Sequence, residues 1–130
     1  MKYFILVVLL NLFAVISFSQ SSSVDCSEFK TGEFAYRDSG TNTIWTIKRT
    51  SKHQTEKNEK DGIVIKNKIK WLSPCEYQLT QTWTNSKSLK KRNNSSLNYV
   101  IVSMAGDSYS YSCNCSDGTI RGGTVVKMPR

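Results

Sequence analysis

Two stretches separated by Ser73-Pro74 decide the fold: Ile63-Val64-Ile65-Lys66-Asn67-Lys68-Ile69-Lys70-Trp71-Leu72 and Cys75-Glu76-Tyr77-Gln78-Leu79-Thr80-Gln81-Thr82-Trp83. In the first, Ile63, Ile65, Ile69 and Trp71 occupy alternate positions, and Lys66, Lys68 and Lys70 lie between them. In the second, Tyr77, Leu79 and Trp83 alternate with Gln78, Thr80 and Thr82. A period of two belongs to a strand with one dry face and one wet face; a helix would repeat at three and four. The pair is predicted to form a hairpin, with Tyr77, Leu79 and Trp83 pointing inward and the lysines in water.

The same alternation recurs outward from this hairpin. Gly32 to Arg37 places Phe34 and Tyr36 on one face and ends at the turn-prone Asp38-Ser39-Gly40. Thr43 to Thr50 sets Trp45 and Ile47 against Thr46 and Lys48. Lys52 to Lys57 is polar on both faces, which predicts an exposed edge or hairpin arm closed by Glu59-Lys60-Asp61-Gly62. Thr84 to Leu97 reads as a polar, lysine-rich loop, Tyr99 to Met104 as a buried strand, and Ser108 to Cys115 as serine alternating with Tyr109, Tyr111 and two cysteines. A last strand is predicted over Thr119 to Lys127, with Gly122-Gly123 as a candidate bulge. About seven or eight short strands joined by tight turns describe an all-β antiparallel meander. Its edges need hiding, so a small barrel or half-barrel is predicted ahead of a sandwich.

The chain begins with Lys2, an apolar run from Phe4 to Ile16 broken at Asn11, and then Ser17-Phe18-Ser19. This is the pattern of a secretory signal helix, expected to be cleaved after Ser19. At roughly 15 residues the run is shorter than the ~20 that span a bilayer, so no stable membrane insertion is expected after cleavage. A single β domain over residues 20–130 remains, exported to the periplasm or beyond. Losing residues 1–19 removes Lys2 and no acid, so the charge falls from +8 to +7.

All four cysteines lie in the exported part, where disulfides persist. The phase of the strands turns Cys75 and Cys113 inward, and the expected bridge runs from Cys75 or Cys26 into the Cys113/Cys115 pair. A Cys113 to Cys115 ring would strain the disulfide. Reading Cys113-Asn114-Cys115 as a soft metal site lacks ligands, because the chain's one histidine, His53, is remote in sequence and no Cys-x-x-Cys pair is present. No metal and no cofactor is expected.

Three chemistries compete. His53, Glu56, Glu59 and Arg49 could serve a ribonuclease-like hydrolase, but alternation puts Arg49 and His53 on one face and Glu56 on the other, so a solvated hairpin is favoured and no catalytic residue is assigned. No nucleophile elbow or zinc-protease motif occurs in the sequence. Lys66, Lys68 and Lys70 form a ridge, and Lys87, Lys90, Lys91 and Arg92 crowd the long loop. Together they could hold an anionic surface such as lipopolysaccharide, acidic glycan or nucleic acid, although lysine on an outer face is also a solubility device. Finally, Trp45, Trp71, Tyr77 and Trp83 would face the inside of a barrel, either filling it or lining a pocket for a small apolar ligand. In a chain this short a filled core is favoured.

The runs Cys26-Ser27-Glu28-Phe29-Lys30-Thr31-Gly32-Glu33-Phe34-Ala35-Tyr36, Ile47-Lys48-Arg49, Gln54-Thr55-Glu56 and above all Ile69-Lys70-Trp71-Leu72-Ser73-Pro74-Cys75-Glu76-Tyr77-Gln78-Leu79-Thr80 resemble a family of small exported Bacteroidota proteins. The resemblance covers most of residues 26–83. It implies a small, lipocalin-like barrel and carries no activity with it. The topoisomerase-subunit label borne by some members requires a size and compartment that a small exported domain lacks. The Cys-Asn-Cys pair departs from the family pattern. The sequence thus supports an exported, non-enzymatic binding or structural module.

Overall fold

Alternation of the predicted kind organises a computed structural model that describes residues 24–114 and 120–130. Eight strands follow in order: β1 (Gly32–Arg37), β2 (Ile44–Arg49), β3 (His53–Asn58), β4 (Ile63–Ser73), β5 (Glu76–Thr84), β6 (Ser96–Ala105), β7 (Ser108–Asn114) and β8 (Ile120–Lys127). Each pairs antiparallel with the next, and β8 returns to β1 through Phe34↔Lys127, Ala35↔Val126 and Tyr36↔Val125, which closes the barrel. Closure leaves no edge strand. The polar β3 is therefore not the exposed edge that its composition predicted; it lies between β2 and β4. The signal segment and Cys115 fall outside the described residues. Among those residues, no helix is long and apolar enough to cross a membrane.

The two ends of the barrel differ. One is stopped by a 3-10 turn, Ser27–Phe29, whose Phe29 ring packs edge-on to Tyr109 at 4.9 Å and near Phe34 at 6.5 Å. Phe29 and Phe34 are fully buried, and removing each ring from water contributes roughly 1.5–3 kcal/mol. Cys26, Ile47, Ile69, Tyr77, Leu79, Ile101, Tyr109 and Val125 pack with them in the core. The other end carries the turn after β1, the turn after β3, and the long connection from β5 to β6, which contains a second 3-10 turn, Lys90–Arg92.

Bulges adjust the inside-outside phase. On β5, Lys66 faces Trp83 but Asn67 faces Gln81, so Thr82 is an extra residue and the alternation inverts beyond it. Thr84 consequently points inward and Trp83 points out, 46% exposed, which corrects the inward placement predicted for Trp83. The Gly122-Gly123 pair is not a bulge, because the β7–β8 register runs unbroken across it. Its glycines admit Tyr111: a Cβ at Gly123 would meet the Tyr111 hydroxyl at 2.9 Å, and one at Gly122 would meet the Tyr111 carbonyl at 2.9 Å.

The disulfide joins Cys26 to Cys75, with Cα atoms 5.3 Å apart. This corrects the bridge expected into Cys113/Cys115. Cys26 immediately precedes the 3-10 stopper and Cys75 sits in the β4–β5 turn at the same end. Cys113 faces the barrel interior near the far end of β7, buried and hydrogen-bonded with Tyr99. A disulfide accords with an oxidising environment.

Candidate functional site

Polar residues at inward positions build the site. Arg49 continues the phase of Trp45 and Ile47, and Gln54, Glu56 and Asn58 alternate on β3, so the interior receives a cation, an acid and several amides. Arg49 is 2% exposed. Its Nε donates to Gln54 Oε1 (2.7 Å), Nη1 to the Phe29 carbonyl (2.6 Å) and Nη2 to the Tyr109 hydroxyl (3.0 Å). The guanidinium also lies 4.9 Å from the Phe34 and Tyr77 rings. A buried charge is tolerable when its nitrogens find acceptors and its faces find rings, and here each of the three nitrogens donates a hydrogen bond. The result is a polar clamp that holds the stopper in place.

Gln54 links this clamp to Glu56. Its Nε2 donates to Glu56 Oε1 (2.9 Å), and Asn67 Nδ2 donates to the same oxygen (3.2 Å), while the Tyr36 hydroxyl reaches Glu56 Oε2 at 3.5 Å. Glu56 lies well inside the barrel, yet part of its surface faces a cavity. Burial pushes its carboxyl above the ordinary value of 4.5, against the pull of those hydrogen bonds and of Arg49. Burial likewise raises the Tyr36 and Tyr99 hydroxyls, reinforced by the Glu56 charge, and pushes Tyr111 up to about 12.

The cavity, about 280 Å³, occupies the end away from the stopper. Tyr36, Trp45, Ile65, Leu79, Leu97 and Tyr99 supply its walls, Glu56, Asn67 and Gln81 its polar floor, and Asp38, Leu89 and Arg92 its rim. The stacked Tyr36 and Trp45 rings, 6.2 Å apart, make one wall. A smaller space of about 50 Å³ below it is bordered by Arg49, Glu56 and Tyr77.

Of the four aromatics expected inside, Trp45 lines the cavity and Tyr77 the smaller space. Trp71 packs on Tyr77 at 4.9 Å and under Lys30 at the stopper end, and Trp83 lies outside the barrel. Lys66, Lys68 and Lys70 project into water, and the Lys66 ammonium stands 5.2 Å from the Trp83 ring. Lys87, Lys90, Lys91 and Arg92 lie on the long connection that leaves β5 after Thr84. His53 is exposed, whereas Arg49 and Glu56 share the interior; the turn at 50–52 separates them, correcting the shared face expected for Arg49 and His53. Among the described residues no group of three or more His, Cys, Asp or Glu is placed to hold a metal ion. Sequence reasoning missed Glu56 as a cavity residue, along with Asn67, Gln81 and Tyr99. The available signal was polar residues recurring in the apolar phase, with Asn67 between Ile65 and Ile69 the clearest case.

The raised Glu56 carboxyl has a consequence for stability. Over the window from about 4.5 up to its folded-state value, the native barrel holds a proton that the unfolded chain has lost, so this group makes stability fall as pH rises. Tyr36, Tyr99 and Tyr111, with raised hydroxyls, stay neutral there and Arg49 stays charged. Glu56→Gln keeps an oxygen for Gln54 and Asn67. It is expected to match the wild type near pH 4 and to melt several degrees higher at pH 8; equal melting temperatures at both would contradict the burial penalty.

The chain matches no protein-family model and no curated protein. A solved structure described as the de novo design of a fluorescence-activating beta barrel is similar at a TM-score of 0.44 and 18% identity, covering 82% of this chain and 100% of the designed one. The barrel assignment rests on the strand pairings, not on this likeness.

Proposed function

We propose that this chain is an exported, non-enzymatic binding module that takes a small ligand into the cavity opposite its stopper. The single supporting observation is the uneven filling of the barrel. The stopper end leaves only about 50 Å³ beside Arg49, while the other end keeps about 280 Å³ bounded by aromatic rings and a partly buried carboxyl. Such a space, with aromatic and aliphatic walls over a polar floor, lies just under the usual small-molecule range of roughly 300–1,000 Å³. Export is supported by the signal-like first 19 residues, the disulfide, and the resemblance to small exported Bacteroidota proteins. In a thermal-shift screen, small ring compounds are expected to raise the melting temperature with concentration. Leu97→Trp, which fills the cavity from β6, should abolish the shift while leaving the barrel folded. A shift that survives Leu97→Trp would place binding elsewhere.

A second reading draws on the exposed Trp83. The outer-face row Lys48, Thr55, Lys66 and Trp83 runs across β2 to β5, beside Lys68 and Lys70, so a flat ring stands among ammonium groups. That combination suits a polyanion with stackable rings. Reversing Lys66, Lys68 and Lys70 to Glu is expected to eliminate salt-sensitive retention on heparin; unchanged retention would remove the ridge.

A further inference from the structure

We propose that the cavity takes a small organic cation, its ammonium group against the Glu56 carboxyl and its hydrocarbon body between Tyr36, Trp45 and Tyr99. This rests on the reading of the cavity as a ligand site and adds the chemistry of the ligand.

Several polar valences around the cavity remain unspent. Gln81 donates through Nε2 to the Leu89 carbonyl (2.9 Å) and to Asn93 Oδ1 (2.8 Å), which uses both amide hydrogens and leaves its carbonyl oxygen as its polar offer to a ligand. Asn67 turns an amide hydrogen to Glu56. Glu56 takes two donors on Oε1, while Oε2 has one long contact, from Tyr36 at 3.5 Å. The floor is therefore rich in acceptors, and a ligand that satisfies it must bring donors. Arg49 competes little for an anion, because each of its three nitrogens already donates a hydrogen bond, to Gln54, Phe29 and Tyr109, and rings lie against its faces, while at the rim the charge of Arg92 is opposed by that of Asp38. An ammonium supplies the missing donors, and the electron-rich faces of tyrosine and tryptophan attract its charge. A counter-ion at this place would also relieve the penalty that holds the carboxyl's proton affinity high.

Three probes that share a phenyl ring and differ in charge decide the matter: phenethylammonium, 2-phenylethanol and 3-phenylpropionate, titrated near pH 7 while tryptophan fluorescence is recorded. Phenethylammonium is expected to bind about tenfold or more tighter than the alcohol, the worth of a charge-assisted hydrogen bond, and the carboxylate weakest of all. Glu56→Gln should bring the ammonium down to the level of the alcohol, and Glu56→Asp should keep the original order. Equal or better binding of the alcohol or carboxylate overturns the cation assignment while leaving the cavity reading intact. No response to any of the three overturns both.

Discussion

Replacing Arg49 with methionine is expected to lower the free energy of unfolding by about 3 kcal/mol or more. Methionine keeps much of the apolar stem but withdraws every donor. The Phe29 carbonyl, Gln54 Oε1 and the Tyr109 hydroxyl then lose their charged partner inside a closed barrel. Each buried acceptor left unpaired costs about 1–3 kcal/mol, and relief from burying the guanidinium offsets part of that sum. The stopper should loosen as well, since the contact from Arg49 to Phe29 joins residues 20 apart in sequence. Guanidinium denaturation measures the loss directly; a change under about 1 kcal/mol would mean that the clamp is a passenger of the packing.

Removing the Cys26–Cys75 bridge is expected to cost about 4 kcal/mol by loop-closure entropy. The bridge spans 49 residues and turns the stopper and β1 to β4 into one covalent ring. Its loss frees the segment that carries Phe29, the same segment that Arg49 holds. The two losses share a target and should add to less than their sum, so a double variant is the sharper measurement. A reduced protein that unfolds at the same denaturant concentration as the oxidised one would refute the expectation.

Much of the wall is legible in the sequence because a strand records its two faces at every second residue. Ile69 and Tyr77 read inward from that pattern, and Lys66, Lys68 and Lys70 outward, as the barrel places them. Closure follows less directly, from the number of strands and the shortness of their turns. Trp83 reads to the wrong side because the bulge at Thr82 depends on how β5 lies against β4, and Thr82 carries no sign of it in its own chemistry. The disulfide escapes for a similar reason: phase says which way a cysteine points and not which end of the barrel it occupies. The site is the least legible part. Gln54, Glu56 and Asn58 make β3 polar on both faces, which reads as an edge until closure turns one of those faces into an interior. Buried polar groups of this kind weaken a core unless they are satisfied, and local rules fail most often where function has displaced packing.

The three tryptophans report from three separate places, and this makes one measurement decisive. Trp45 lines the cavity, Trp71 packs at the stopper end and Trp83 stands on the outer wall beside Lys66. Indole N–H resonances followed by NMR during titration with phenethylammonium are predicted to show the Trp45 signal moving to saturation while Trp83 stays still. Movement of Trp83 with Trp45 unmoved would contradict an internal site and leave the outer wall as the binding surface.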